Sequence, residues 1–256
     1  VSGLNDLSHS LEPVHITSFY NEFLDILGKP IADNKGVIDK FIGTDVMGFW
    51  GEPFTGENEH PELALRASMS LIASHQQIKD LLSKHLGGSY DDSKHQLSVG
   101  VATGELIVGN MGSKSALSFT VMGDVVNGAS RLKGACKQFG VSFLCSENLR
   151  NQVGDKFNFR EIDTVVAKGM DDPITLYQII PGTAEYSKYT DKNINLYQQG
   201  LNAYRIGKFK EAEKYWSSFS KLIPSDVAVR VMLDRLPQLY ADTHPNWSGV
   251  WQLTTK

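Results

Sequence analysis

Residues 119–131 read Phe-Thr-Val-Met-Gly-Asp-Val-Val-Asn-Gly-Ala-Ser-Arg, and this stretch decides how the rest of the chain is interpreted. Residues 119–122 carry the branched and aromatic side chains of a strand end, and Gly123-Asp124 supply a turn and a helix cap. A helix is therefore predicted to follow. If Asp124 caps that helix, Asn127 and Arg131 lie four positions apart on one helical face, from which both can reach one ligand.

The two polar side chains of this helix suit a phosphorylated sugar. The guanidinium of Arg131 offers a rigid fork of donors that matches phosphate oxygens, and the amide of Asn127 can orient a sugar oxygen. The alternative is a capped amphipathic helix whose polar face is only solvated. The remainder of the sequence bears on that choice.

Composition indicates an intracellular globular protein. The chain has 256 residues, 41% of them hydrophobic, and a net charge of -4, which gives no electrostatic footprint for nucleic acid. Cys136 and Cys145 fall in a predicted helix and at the end of a predicted strand, so they are expected to be buried, reduced thiols. Histidines are scattered without zinc-ligand spacing.

Targeting signals are not visible in the sequence. No apolar run approaches the roughly 20 residues that span a bilayer, and no signal peptide is visible. The expected location is the cytoplasm, either for the chain alone or for the cytosolic portion of a larger or membrane-anchored protein.

Hydrophobic periodicity predicts an α+β fold in which helices pack on a mostly antiparallel sheet. The predicted helices are Glu12 to about Asn34, residues 60–86, a helix from Val125, and Glu147 to Val153. The predicted strands are Val37–Ile42, Asp45–Trp50, Leu97–Ala102, Glu105–Val108, Val141–Cys145, Phe159–Val166 and Ile174–Ile180. Gly43-Thr44 is predicted to form a tight turn that makes the first two strands a hairpin.

The composition changes after Pro181-Gly182-Thr183, which predicts a domain over 1–182 and an extension over 183–256. Residues 193–224 resemble a single tetratricopeptide repeat, which is a helical hairpin. A further helix is predicted at Val229 to Leu239. Because one repeat cannot bury its own face, the hairpin is expected to pack on the first domain or on a partner, with the tail from Trp247 to Trp251 as an apolar latch.

Four stretches together resemble the catalytic domain of class III nucleotide cyclases, above all the bacterial adenylate cyclases. They are Val37–Trp50, Val99–Ser113, Phe119–Leu132 and Phe159–Tyr177, in the family's order and spacing. The resemblance covers roughly residues 1–180. It implies a ferredoxin-like core that dimerises head to tail, with active sites at the dimer interface to which both chains contribute.

The resemblance also implies roles for individual residues. Asn127 and Arg131 match the pair that orients the ribose and stabilises the transition state. Lys40 and Thr120 match the pair that selects the base, and a lysine donor beside a threonine acceptor suits adenine, so ATP is the expected substrate. Other implied substrate contacts are Lys168, which matches a lysine that contacts the triphosphate, and Ser2, Gly3 and Leu4.

The resemblance implies two divalent ions, Mg or Mn, held by two aspartates. The first aspartate would fall one residue upstream of Val1. The second should follow Gly43, where this chain has Thr44, with Asp45 displaced by one residue. The relatives' arginine for the terminal phosphates is replaced by Ala116, with Lys114 near enough to substitute.

Three hypotheses follow. The first is a homodimeric adenylate cyclase that converts ATP to cyclic AMP and pyrophosphate in intracellular signalling. The second is a degenerate domain that lacks a full metal site, acting as the base-binding half of a heterodimer with a metal-bearing cyclase chain or as a nucleotide-binding regulator. The third is a non-enzymatic interaction module led by the repeat-like extension.

Overall fold

A computed structural model describes residues 13–86, 95–166, 172–241 and 247–253. Its helices are α1 (Pro13–Asp33), α2 (His60–Ala73), α3 (His75–Leu86), α4 (Asp124–Phe139), α5 (Glu147–Val153), α6 (Asp191–Arg205), α7 (Phe209–Leu222) and α8 (Val227–Ala241). Its strands are β1 (Val37–Ile42), β2 (Asp45–Phe49), β3 (Val99–Val101), β4 (Ile107–Ser113), β5 (Ala116–Met122), β6 (Phe143–Ser146), β7 (Phe159–Val166), β8 (Ile174–Ile179) and β9 (Trp251–Gln252). The predicted α+β class is confirmed, and the chain divides into two compact units, Val1–Gly128 and Ala129–Lys256.

The core of the first unit forms where α1 and α3 bury their apolar faces. Phe19, Phe23 and Leu27 recur every four residues on α1, which places them on one helical face. They pack in one cluster with Ile78 and Leu82 of α3. The period in the sequence therefore predicted both the helix and the face it buries.

The single helix predicted over 60–86 is wrong, because the structure has two helices separated at Ser74. The Ser74 hydroxyl donates to the carbonyl oxygen of Ser70 at 3.0 Å, and the Ser74 amide bonds to the carbonyls of Ser70 and Leu71. A serine that satisfies the backbone in this way competes with the regular helical ladder. The apolar stripe continues on both sides of Ser74, so the period gave no sign of the break.

Two antiparallel hairpins belong to the first unit. Strands β1 and β2 pair from Ile42 opposite Asp45, so Gly43-Thr44 is the predicted two-residue turn, and Gly43 adopts the positive φ of 60° that glycine tolerates. Strands β4 and β5 pair from Ile107 opposite Met122 to Ser113 opposite Ala116. The short strand predicted at Glu105–Val108 is therefore shifted and much longer, because glycine and polar residues at its outer end hid the strand pattern.

The second unit contains a sheet in which β6, β8, β7 and β9 are neighbours in that order. The β6–β8 and β7–β8 pairs are antiparallel, as predicted for the sheet in general. Strand β9 comes from the C-terminal tail and pairs parallel with β7, with Trp251 opposite Val165. The tail therefore covers an edge of the sheet that would otherwise present unpaired backbone groups.

The helices after residue 190 pack on β7 of the same unit, which agrees with the first of the two alternatives expected for the hairpin, packing on the first domain or on a partner. The hydroxyl of Tyr197 on α6 donates to the carbonyl oxygen of Ile162 at 2.9 Å. Arg160 of β7 forms an ion pair of 2.7 Å with Asp226, and Asp163 of β7 pairs with Arg235 of α8. All four charged side chains are buried.

The predicted helical hairpin is formed by α6 and α7, and the predicted third helix is α8. Trp247 in the tail donates its indole hydrogen to the carbonyl oxygen of Tyr204 at 2.8 Å and packs edge-on against Tyr204 and Phe209. The tail is thus an apolar latch, as expected. Among the helices in the described ranges, no helix is long and apolar enough to cross a membrane.

Candidate active site

The two residues predicted to select a base lie side by side in the first unit. Lys40 is on β1 and Thr120 is on β5, eighty residues apart in sequence, and the Lys40 ammonium donates to the Thr120 hydroxyl oxygen at 2.8 Å. Lys40 remains 41% exposed, so its remaining hydrogens can reach a ligand from solvent. The pairing presents a cation and a hydroxyl oxygen on one small surface.

A third residue of this site, Asp39, was missed by the sequence analysis. Its Oδ2 atom lies 3.0 Å from the Lys40 ammonium, and its side chain is 0% exposed. The two residues are neighbours in a strand, where side chains normally point to opposite faces. Strand β1 has a β-bulge at this point, since Ile38 pairs with Gly48 and Lys40 pairs with Met47, which leaves Asp39 as the extra residue.

Asn127 and Arg131 lie on α4 one helical turn apart, as predicted. Helix α4 begins at Asp124 itself, so Asp124 is the first helical residue and not a residue outside the helix. Asn127 is exposed and Arg131 is half-buried. Within the described ranges, neither side chain makes a hydrogen bond or an ion pair, which leaves the donors of Arg131 available to an anion.

The turn of the first hairpin carries the two residues that stand in place of the second metal aspartate. Thr44 lies in the turn itself, and Asp45 is the first residue of β2, opposite Ile42. By the alternation of the strand, Asp45 shares a face of the hairpin with Met47 and hence with Lys40. The described residues include no group of three His, Cys, Asp or Glu that could hold a metal ion.

The described residues therefore do not fit a divalent ion by themselves. One carboxylate beside a threonine hydroxyl is far short of the oxygen ligands that Mg²⁺ or Mn²⁺ takes from protein and substrate.

The remaining predicted residues are placed as follows. Lys114 lies at the exposed tip of the β4–β5 hairpin, two residues before Ala116, which begins β5. Thr120 pairs with Gly109, four pairs further along the hairpin, which corresponds to roughly 14 Å at the usual rise of a strand. Lys168, Ser2, Gly3 and Leu4 lie outside the described residues.

Comparison with known proteins gives one consistent result. Residues 1–181 match the family model described as the adenylate and guanylate cyclase catalytic domain. An adenylate cyclase of Anabaena cylindrica is 30% identical over 182 residues, which cover 70% of this chain and 35% of that protein. The terminal-differentiation specific adenylate cyclase of Dictyostelium discoideum is 26% identical over 244 residues, which cover 93% of this chain and 11% of that protein.

The chain spans a minor part of the length of both relatives. Among solved structures, the adenylyl cyclase CyaB from P. aeruginosa superimposes with a TM-score of 0.60 and 29% identity, over 71% of this chain and 90% of that chain. The range matched by the family model includes Lys40, Thr120, Asn127 and Arg131. This chain therefore belongs to the family of adenylate and guanylate cyclase catalytic domains.

Proposed function

We propose that the chain converts ATP into 3',5'-cyclic AMP and pyrophosphate, at a site shared by two copies. The hydrogen bond between Lys40 and Thr120 carries this proposal. It sets a donor and an acceptor at the spacing of two neighbouring positions on the edge of a nucleobase. The relatives named adenylate cyclase support the same assignment.

The hydrogen-bond chemistry of the pair favours adenine over guanine. Adenine offers an acceptor at N1 and a donor at its 6-amino group, which complement a lysine ammonium and a threonine oxygen. Because the ammonium donates to Thr120, the hydroxyl hydrogen points elsewhere and the oxygen keeps a lone pair for the 6-amino group. Guanine has a donor at N1 and an acceptor at O6, so it would place donor against donor.

Asn127 and Arg131 supply groups for the reaction itself. The ribose 3'-oxygen attacks the α-phosphorus, its proton leaves, and the bond from that phosphorus to the β-phosphate oxygen breaks to release pyrophosphate. An amide on the ribose holds the 3'-oxygen in line, and a guanidinium neutralises charge that develops on the phosphoryl oxygens. The donors of Arg131 suit this role because no described residue occupies them.

The surface of the β4–β5 hairpin supports a second copy as the partner. Ile107 and Leu117 are 66% and 64% exposed, and Phe119 and Met122 are exposed on the same hairpin. By strand alternation Ile107 and Met122 share the face of Thr120, whereas Leu117 and Phe119 lie on the opposite face. A hairpin that exposes apolar side chains on both faces is a surface for a partner to cover. Since Thr120 lies among them on β5, an interface here adjoins the base-selecting pair, and a second copy would complete the site.

The proposal is tested by product formation in the full-length protein with ATP or GTP and either Mn²⁺ or Mg²⁺. Cyclic AMP is the expected product, and Arg131→Ala should lower kcat by about 100-fold to 1,000-fold, the usual loss when a charge-stabilising donor is removed. A Thr44→Asp variant is assayed in parallel. Activity confined to that variant, or cyclic GMP as the main product of the parent, would overturn the proposal.

The shared site is tested separately with Ile107→Asp and Leu117→Asp. Both changes place a charge in the proposed interface, so sedimentation should show a shift from dimer toward monomer and activity should fall with it. Ile206→Asp is the matched control, since Ile206 is 68% exposed but lies after α6. A dimer that persists in both hairpin variants, with full activity, would contradict the placement of the interface.

A further inference from the structure

We infer that Asp39 is a positioning residue that enforces the adenine preference of Lys40 and Thr120, an inference that rests on the proposed function. Asp39 itself does not contact the base. It acts through the Lys40 ammonium, whose direction it fixes.

The backbone at Asp39 is arranged to bring its carboxylate to its own neighbour. In a regular strand the Asp39 and Lys40 side chains would diverge to opposite faces. The bulge between Ile38 and Lys40 breaks that alternation, and the Asp39 Oδ2 atom lies 3.0 Å from the Lys40 ammonium. Bulges beside active sites commonly re-aim a side chain in this way.

A contribution to the stability of the fold does not explain why Asp39 is buried. Its side chain is 0% exposed, and neither carboxylate oxygen accepts a hydrogen bond from any described residue. The cation that pairs with it in the described part of the chain is Lys40. A buried carboxylate with one partner and no hydrogen bonds stabilises a fold less than an apolar side chain of similar volume. Its effect therefore falls on Lys40, the cation that it faces.

The ammonium of Lys40 is held from two sides. The Thr120 oxygen accepts one ammonium hydrogen at 2.8 Å, and the Asp39 carboxylate attracts the ammonium as an ion-pair partner at 3.0 Å without accepting a hydrogen bond. The two contacts restrict where the ammonium lies, so its remaining hydrogens are presented to a ligand in a limited range of directions. A lysine tethered only by Thr120 would swing on its flexible stem and could donate to guanine O6 as readily as to adenine N1. The contact with Asp39 therefore makes Lys40 a donor that distinguishes adenine N1 from guanine O6.

The test compares ATP and GTP in Asp39→Asn and Asp39→Glu variants of the full-length protein. Asp39→Asn keeps the shape and removes the charge, so the ratio of kcat/KM for ATP to that for GTP should fall about tenfold, the size of one lost charge-assisted contact. The loss should lie mainly in KM for ATP. Asp39→Glu restores the charge and should recover part of the ratio.

Asp163→Asn is the matched control, since Asp163 is also a buried carboxylate paired with a cation but lies on β7. It should lower the unfolding temperature and leave the ATP to GTP ratio unchanged. The inference is overturned if Asp39→Asn changes the unfolding temperature alone, or changes the ratio no more than Asp163→Asn does.

Calorimetric titration with ATP and with GTP, in the presence of Mn²⁺, distinguishes a failure of the proposed function from a failure of the role assigned to Asp39. If the parent binds ATP without making cyclic AMP, the proposed function fails, and the ratio of the two Kd values in parent and Asp39→Asn still decides the role of Asp39. If the parent binds neither nucleotide, both the function and this inference are overturned.

Discussion

At the scale of single residues, two classes of carboxylate have different consequences for stability. Asp226 is buried: it pairs with Arg160 at 2.7 Å, accepts from the Tyr189 hydroxyl at 2.7 Å and accepts from the Val229 amide at the start of α8. Asp33 forms an exposed pair with Lys29 on α1. An ion pair between a carboxylate and a cation thus occurs once in the protein interior and once in contact with solvent.

Asp226→Asn is expected to lower the free energy of unfolding by about 3 kcal/mol, because it leaves the buried Arg160 without a counter-charge. Asp33→Asn should change it by less than about 1 kcal/mol, because solvent screens an exposed pair. Urea unfolding of both variants measures the difference. Equal effects would show that the Arg160 charge is satisfied by its other contacts, with Gln178 and the ring of Tyr197.

The buried thiol of Cys145 gives a pH dependence. Burial raises the pKa of Cys145, with a smaller opposing effect of Arg150, from an ordinary value of 9.0. A thiol whose pKa is raised by folding contributes its stability below the unfolded pKa, and that contribution is lost as pH rises beyond it.

Above pH 9, the parent should therefore lose up to about 1.4 kcal/mol of unfolding free energy per pH unit more than a Cys145→Ala variant does. Unfolding curves at several pH values between 8 and 10.5 give the two slopes. Labelling with a thiol reagent provides a second measure, since Cys136 and Cys145 are both buried and should react only in denaturant. Rapid labelling of the folded protein at pH 8 would contradict the argument.

The candidate site was only partly predictable at this scale. Lys40 and Thr120, which the family resemblance paired, are in contact, and Asn127 and Arg131 lie one helical turn apart as predicted, while their roles remain predictions. Asp39 was not predicted, although it directly precedes Lys40. Strand alternation predicts that these neighbours diverge, and a bulge depends on pairing with a partner strand, which a local pattern does not contain.

At the scale of elements, the sequence predicted best where a pattern repeats and ends at a clear signal. The bounds of β1 and β7 were predicted to the residue, and α5 lies where a short helix was predicted. The β4–β5 hairpin was largely missed, because neither strand has a buried face that would impose alternation. An exposed hairpin is held by its own ladder and, in the proposal above, by a second copy.

At the contact between α6 and α7, close packing is expected to outweigh helix propensity in the effect of replacing a glycine with alanine. Gly200 lies inside α6, where alanine would ordinarily favour the helix. A Cβ atom at this position would lie 2.3 Å from Nε1 of Trp216, and Trp216 is itself fully buried and bonded to the Tyr197 carbonyl. The glycine is therefore needed for the close approach of the two helices.

Gly200→Ala should lower the free energy of unfolding by about 1 to 3 kcal/mol, the usual cost of overpacking a core. Gly128→Ala on α4 is the matched control, since a Cβ there would meet Ala102 at an ordinary 3.9 Å. That variant should gain up to about 1 kcal/mol from helix propensity. Thermal unfolding of the pair distinguishes the two effects, and stabilisation by both changes would contradict the packing argument.

At the scale of the whole molecule, the boundary predicted at residue 182 remains a prediction, and the contacts of β7 indicate that the two sides are not independent. Arg160 and Asp163 point their charges into the helices that follow residue 190, and Glu161 pairs with Arg205 of α6. Tyr197 of α6 and Trp216 and Phe219 of α7 are fully buried. The extension supplies the counter-charges of β7 and covers part of that strand.

A chain that ends at residue 182 is therefore expected to unfold or aggregate. It would leave the two buried charges Arg160 and Asp163 uncompensated, at about 3 to 5 kcal/mol each, against a total stability that is typically about 5 to 15 kcal/mol. A milder truncation after Ala241 removes residues 242–256, with Trp247 and β9 among them, which uncovers the edge of β7 but keeps both ion pairs. It should stay folded with a lower unfolding temperature, as measured by circular dichroism and size-exclusion chromatography. If the chain ending at residue 182 is monomeric or dimeric, folded and as stable as the parent, the extension is a separable domain after all, and the buried pairs contribute nothing to the fold.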